Sequence, residues 1–269
     1  MSWKTAVRTA TGPPARHLQR PSACEDDEGD PTDLIEPLRM GCLAEAWVAP
    51  PLIRELRELL RYRAKIVHLR SGLKAQVHAA LAKEGVAVPM SDLFGVKGRC
   101  LLDEVHLADA YRNRVESLRD LIELVNREIA MLEEDVTPYF AGDLGYHAVQ
   151  AIPGVGPVLA TEFVAEIGDV SRFPTARHLW SWAGLTPTHH ESDEKVRRGH
   201  FTKQGSCLVR WTAIEGVARQ HGDSRIRTRH RVGERRGTQV GRVVAARKLL
   251  TLVYYGLRDG EIRCLVQTG

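Results

Sequence analysis

Between Val115 and Val136 the apolar residues fall at Val115, Leu118, Ile122, Val125, Ile129, Leu132 and Val136, in alternating steps of three and four. Over three heptads that spacing describes an α-helix with one apolar stripe that needs a second helix to cover it. The pattern predicts a helix over about Asp103–Asp135. A partner lies upstream, from Pro51 to about Lys83. Pro51 suits its first turn, Gly85 its stop, and apolar residues recur at Leu52, Leu56, Leu59, Ile66, Leu69, Leu73 and Val77. Its outer face is expected to carry Arg54, Arg57, Arg61, Arg63, Lys65, Arg70 and Lys74, whereas the later helix is rich in Glu104, Glu116, Glu123, Glu128, Glu133 and Glu134. The two helices can pair as a hairpin within one chain or between chains, and residues 85–100 form the turn region.

Residues 1–24 hold Gly12, Pro13, Pro14 and Pro21, no acidic residue and no periodicity, and are expected to be a disordered leader. The composition then flips to the acidic run Glu25–Asp30, and a short helix could start at Pro31 and run towards Gly41. Residues 50–140 form the coiled-coil region. After the break at Pro138 and Gly142 a compact helical domain is expected over 147–260, with a short hairpin or loop near 186–202, then a tail over 261–269. Alternating β-branched runs are scarce, so the fold class is mainly α. No stretch approaches 18 uninterrupted apolar residues, which excludes a membrane-spanning helix, and the N-terminus lacks the apolar core of a secretory signal. Five scattered cysteines without a CxxC pair read as reduced thiols of a cytoplasmic protein.

Charge narrows the function. From Lys195 to Lys248 fifteen Lys and Arg face only Glu215, Asp223 and Glu234, a net of +12 inside a chain whose total is +4. Such a concentration repels itself unless a polyanion sits nearby, and phosphate neutralisation is its common use. A solvated basic face is the plainer alternative. Just upstream, Ala151-Ile-Pro-Gly-Val-Gly-Pro157 leads into an apolar helical run to Ile167 and Gly168, a helix–hairpin–helix pattern. Gly154 and Gly156 would let the turn take positive φ and bring backbone N–H groups to a DNA phosphate. The same glycines could serve interhelical packing alone.

Further on lie Trp182-Ala-Gly-Leu-Thr-Pro187, a serine five residues after that proline, Thr202-Lys203-x-Gly205, Arg210 and Ala246-Arg247-Lys248-Leu249. Together with IPGVG and the Glu166-Ile-Gly-Asp169 stretch followed by Arg172-Phe173, these marks resemble the C-terminal domain of the IS110 insertion-sequence transposases, also called bridge-RNA-guided recombinases. The resemblance covers roughly 110 residues, from Ile152 to about Gly260. It implies that Ser192 is a nucleophile that forms a covalent phosphoserine link to a cut DNA strand. Lys195, Arg197, Arg198, Lys203 and Arg210 are available to hold the phosphate charge, with Arg247 and Lys248 as further DNA contacts. One departure is Asp193, where the family commonly has glycine, and a carboxylate there would repel phosphate. His189 and His190 could be a metal site or a base but suit an exposed loop. Trp180 and Trp182 could stack on bases, though packing onto the core suits them better.

The same resemblance touches Asp27-x-x-Asp30, with Leu34, Gly41 and Trp47-Val-Ala-Pro50 downstream. In that family a pair of aspartates at this spacing closes the acidic tetrad of an RNase-H-like, RuvC-like domain that binds Mg²⁺. On this reading residues 25–48 are a remnant of that domain, since only 26 residues precede Asp27 and they show no strand pattern. Two carboxylates alone would hold Mg²⁺ weakly. The expected protein is thus an N-terminally truncated transposase, inactive as it stands, with DNA, a guide RNA and further copies of itself as partners at the bacterial nucleoid. The competing reading is a non-catalytic DNA-binding or oligomerisation module that associates with a full-length transposase. A purely structural coiled-coil protein ranks behind both.

Overall fold

A computed structural model of the chain describes residue 35 and residues 38–41, 47–192, 195–220 and 228–265. For 189–192, 195–200 and 228–231 the description is of the backbone. The chain divides into two compact units, Met1–Pro50 and Pro51–Gly269. Most of the first, including the expected leader and Asp27 and Asp30, lies outside the described residues.

The second unit is mainly α. Helix α1, Pro51–Lys83, ends in a left-handed glycine. Gly85 takes φ +70°, its N–H reaches Ala82 O and the Val86 N–H reaches Leu81 O at 3.0 Å, so the orphan carbonyls of the last turn are satisfied. Helix α3, Asp109–Val136, returns along it within the same chain. Its stripe is covered as the spacing requires: Val115, Leu118, Ile122, Ile129, Leu132 and Val136 are buried and Val125 is half-buried. The pairing is antiparallel, since Arg63 meets Glu133, Arg70 meets Asn126 and Gln76 meets Arg114.

Three details differ from the sequence reading. The helix expected from Asp103 starts at Asp109, because Val105 is extended and ends a separate helix α2, Val96–Glu104, that begins within the expected turn region 85–100 and runs past it. The break carries Leu102 and Leu107 together into the core at the hairpin's end. Gly98 permits the tight corner, since a Cβ there would lie 2.0 Å from Leu93 O. On α1, Leu52 and Leu69 are exposed, while Ile53 and Leu60 are buried. Beside Leu69, it is Arg70 that occupies the seam edge, donating to Asn126 Oδ1 at 3.0 Å. Nor is the arginine face of α1 merely solvated, as Arg57, Arg61 and Arg63 turn towards the following domain.

That domain begins after a 3₁₀ turn, Thr137–Phe140. It comprises α4, Leu144–Gln150; α5, Pro157–Ile167; a 3₁₀ turn, Val170–Arg172; and α6, Ala176–Trp182. Strands β1, Pro187–Ser192, and β2, Lys195–Phe201, make an antiparallel pair in the expected hairpin region. Helices α7, Cys207–Ala218, α8, Thr228–Arg236, and α9, Thr238–Asp259, complete it. Helix α9 is the hub. It packs on α4, α6, α7 and α8 through a face containing Ala245, Ala246, Leu249, Leu250 and Val253, all at 0% exposure. Gly260, at φ +74°, stops it. Among the described residues no helix is long and apolar enough to cross a membrane.

Candidate functional site

Asp143 opens α4 by accepting from the Tyr146 N–H at 3.1 Å, a side-chain N-cap. The chain then turns through Ile152–Gly156 into α5. Ile152 and Val155 are buried and pin the turn from inside. Gly154, at φ +85°, sits against α7: a Cβ there would fall 2.3 Å from Gly216 O, and Gln220 Nε2 donates to Pro153 O at 2.9 Å. Packing therefore accounts for Gly154. Gly156 is different. It is exposed, has open space where a Cβ would be, and precedes Pro157 at the start of α5 with no side-chain cap. Of the two candidate glycines, it is the one at an accessible helix N-terminus, where backbone N–H groups favour an anion.

Helix α5 is buried nearly all round, and two of its buried residues are carboxylates one turn apart, Glu162 and Glu166. Glu162 accepts from Arg63 Nη1 at 3.1 Å and from the Thr212 hydroxyl at 2.7 Å. Glu166 takes both prongs of Arg61, at 2.8 and 3.2 Å, and the Ser206 hydroxyl at 2.9 Å. Arg57 adds bonds to the Ala165 and Glu166 carbonyls at 2.8 and 3.0 Å. Burial pushes the Glu162 carboxyl up to about 7 against the pull of Thr212 and Arg63. Burial likewise lowers Arg57, while the bond to Glu166 raises Arg61. The network bolts α1 to α5 and α7. Sequence reading missed it, although Arg57 and Arg61 repeat at the same four-residue step as Glu162 and Glu166.

The tryptophans serve packing. The Trp182 ring lies 5.5 Å from Phe173, and Arg172 sits 4.3 Å over Phe173 and 4.7 Å over Trp182. Arg172 also donates to Ile167 O, and burial pushes it down to about 10. Trp180 buries its Nε1.

Downstream of α6, Leu185 N bonds Trp180 O and the chain enters β1. The backbone register sets Ser192 opposite Lys195, His190 opposite Arg197 and His189 opposite Arg198. Four of the sequence-predicted residues, Ser192, Lys195, Arg197 and Arg198, are thereby gathered on one short hairpin, in the far half of both strands. Lys203, at φ +54°, is exposed at its exit. Arg210 and Arg247 lie at its base instead. Arg210 donates to the carbonyls of Ala183, Gln204 and Gly205, and Arg247 donates twice to Leu185 O. Burial lowers Arg247, whereas its neighbour Lys248 is exposed. Asp27 and Asp30 lie outside the described residues, and among those described no cluster of three or more His, Cys, Asp or Glu is placed to hold a metal ion.

Residues 146–231, from α4 through the serine hairpin into α8, match the sequence profile of the IS116/IS110/IS902 transposase family. The chain carries a transposase domain of that family. It is 26% identical over 169 residues to the protein named "Probable family 20 transposase" of Pseudomonas aeruginosa, covering 60% of this chain and 49% of that one. It is 26% identical to an insertion-sequence transposase of Coxiella burnetii, covering 61% and 46%. It is 32% identical over 129 residues to a pilin gene-inverting protein of Moraxella lacunata, covering 44% and 39%. The chain thus spans about half the length, or less, of these three relatives.

Proposed function

We propose that the chain binds DNA and serves as the serine-bearing portion of an insertion-sequence recombinase, with Ser192 as the nucleophile. The observation that carries this reading is the placement of Ser192 opposite Lys195 on the hairpin within the transposase domain. In the proposed step the Ser192 hydroxyl oxygen attacks a backbone phosphorus and a deoxyribose oxygen leaves. The proton lost by the serine ends on that leaving oxygen. One phosphoester replaces another, so the strand can be resealed without an outside energy source. Lys195, Arg197, Arg198 and Lys203 supply the positive field for the phosphate, and Gly156 at the start of α5 grips the backbone without reading bases. Mg²⁺ at Asp27 and Asp30, completed by further carboxylates supplied in cis or in trans, belongs to the proposal, as does a guide RNA. With two carboxylates alone and with Asp193 beside the nucleophile, the 269 residues assayed by themselves are proposed to bind DNA without cutting it.

Self-association through the helical hairpin fits Leu121, Leu124 and Met131, which stand exposed on α3 away from the seam. A second reading, a non-catalytic module that partners a full-length transposase, draws on the same surface. Both require DNA binding. With roughly six phosphates neutralised by the Lys195–Lys248 segment, the slope of log K against log salt should be about −5 on duplex DNA of any sequence. Titrations from ~50 mM salt upward measure it, and a flat dependence would remove the nucleic-acid reading altogether.

A further inference from the structure

We infer that Arg210 and Arg247 are positioning residues: they clip the two ends of the Ser192 hairpin to the helical core and are not phosphate ligands. The inference rests on the reading of Ser192 as nucleophile only in what the hairpin is positioned for.

The entry and exit of the hairpin touch backbone to backbone. Gly184 before β1 takes φ +68°, and a Cβ there would lie 2.2 Å from Gln204 O. Gly205 after β2 takes φ +75°, and a Cβ would lie 1.8 Å from Trp182 O. This contact lets several carbonyl oxygens converge at the base, where they need hydrogen-bond donors, and a cationic donor makes the stronger bonds. Arg210, from α7, fills that position. Its Nη1 lies 3.1 Å from Ala183 O, 2.7 Å from Gln204 O and 3.3 Å from Gly205 O, and its Nη2 lies 2.9 Å from Cys207 Sγ. One guanidinium therefore joins the segment leading into the hairpin, at Ala183, to the segment leaving it, at Gln204 and Gly205.

Arg247 works from α9. It gives Nε, at 2.7 Å, and Nη2 to Leu185 O, and its guanidinium stands 5.6 Å from the Phe201 ring centroid. Leu185 precedes β1 and Phe201 ends β2, so this clip also spans both strands. A guanidinium presents a planar fork of five donors, whereas the lysine ammonium is a point charge. These two sites use the fork. Lys203 and Lys248 are exposed and remain for phosphate.

The variants Arg210→Lys and Arg247→Lys keep the charge and lose the fork. Two readouts on the full 269-residue chain separate the roles: amide hydrogen exchange across 187–201 and the salt slope for duplex DNA. A third is the rate of adduct formation at saturating DNA, taken on the chain joined to a family-type N-terminal segment with Asp193→Gly, guide RNA and Mg²⁺. A clip role predicts exchange about tenfold faster across the hairpin, with affinity and salt slope unchanged. It further predicts an adduct rate at least tenfold lower without a matching change in half-saturating DNA. Lys248→Gln should do the reverse, lowering the magnitude of the slope by about one and leaving exchange alone. Arg247→Gln and Arg210→Gln guard against a misleading lysine result. Unchanged exchange, with the slope reduced by about one in the glutamine variants, would make these arginines phosphate ligands and overturn the inference. Exchange and slope need no cleavage, so an adduct indifferent to Ser192→Ala would sink the serine reading while leaving this one to be judged on its own result.

Discussion

The molecule contains two hairpins held by opposite means. The helical hairpin α1–α3 is closed along its length by apolar side chains, from Leu73 and Val77 against Leu118 and Ile122 to Ile66 against Ile129 and Leu132. The strand hairpin β1–β2 is fixed at its base, by two glycines in left-handed conformations and two arginines bonded to backbone carbonyls. A seam distributes stability over many contacts and presents a face. A clipped base holds in one orientation the short element whose far half carries Ser192 and Lys195. The first arrangement suits an arm and the second suits a tool.

The contrast can be broken at the seam first. Ile122→Asp with Ile129→Asp places two carboxylates among side chains that are 3% and 5% exposed in the native chain. Urea unfolding followed by circular dichroism should show a loss of more than about 4 kcal/mol, because each buried charge finds no partner. A melt unchanged by the double substitution would contradict the seam.

The bolt between the arm and the serine domain is the next largest effect. Glu162 has a folded-state value of about 7 against an ordinary 4.5. A carboxyl raised on folding takes up a proton as the chain folds, so its contribution is complete below about pH 4.5 and is lost as pH rises through 7. Unfolding free energy should thus fall by up to about 3 kcal/mol between pH 5 and 8. Glu162→Gln should flatten that profile. A slope that survives the substitution would place the titration elsewhere.

The base of the strand hairpin comes third. Gly205→Ala must accommodate a Cβ 1.8 Å from Trp182 O at φ +75°, at a cost of about 2 kcal/mol. The strain should appear as faster amide exchange across 187–201, with the α1–α3 amides unaffected. Equal effects in both hairpins would mean that the two are not independently held.

The sequence makes the arm legible because a seam is a periodicity. Seven apolar positions from Val115 to Val136 predict the helix, its buried face and its need for a partner. The register on α1 is less legible, since Arg70 rather than Leu69 occupies the seam edge, and polar substitution at a seam edge leaves no trace in apolar spacing. The break at Val105 is hidden for a related reason: Leu102 and Leu107 are both apolar, and a corner that buries both reads like a helix that continues. At the candidate site, the hairpin and its Ser192 are legible through family marks. The roles of Arg210 and Arg247 are not, because their partners are backbone carbonyls, which every residue has. Glu162 and Glu166 are hidden by the apolar run that contains them, although their four-residue step mirrors that of Arg57 and Arg61.

The central claim is that Ser192 makes the covalent bond to DNA. The measurement joins this chain to a family-type N-terminal segment that supplies the remaining carboxylates, with Asp193→Gly, a matching guide RNA, Mg²⁺ and end-labelled DNA. A denaturing gel then separates protein–DNA adducts, and mass spectrometry maps the attachment. The account predicts an adduct on Ser192 that Ser192→Ala abolishes while duplex binding and its salt slope persist, and none from the unmodified 269 residues. An adduct that survives Ser192→Ala or maps to another residue would contradict it. So would the absence of any adduct from a joined protein that still binds DNA, which would leave the non-catalytic module as the better description.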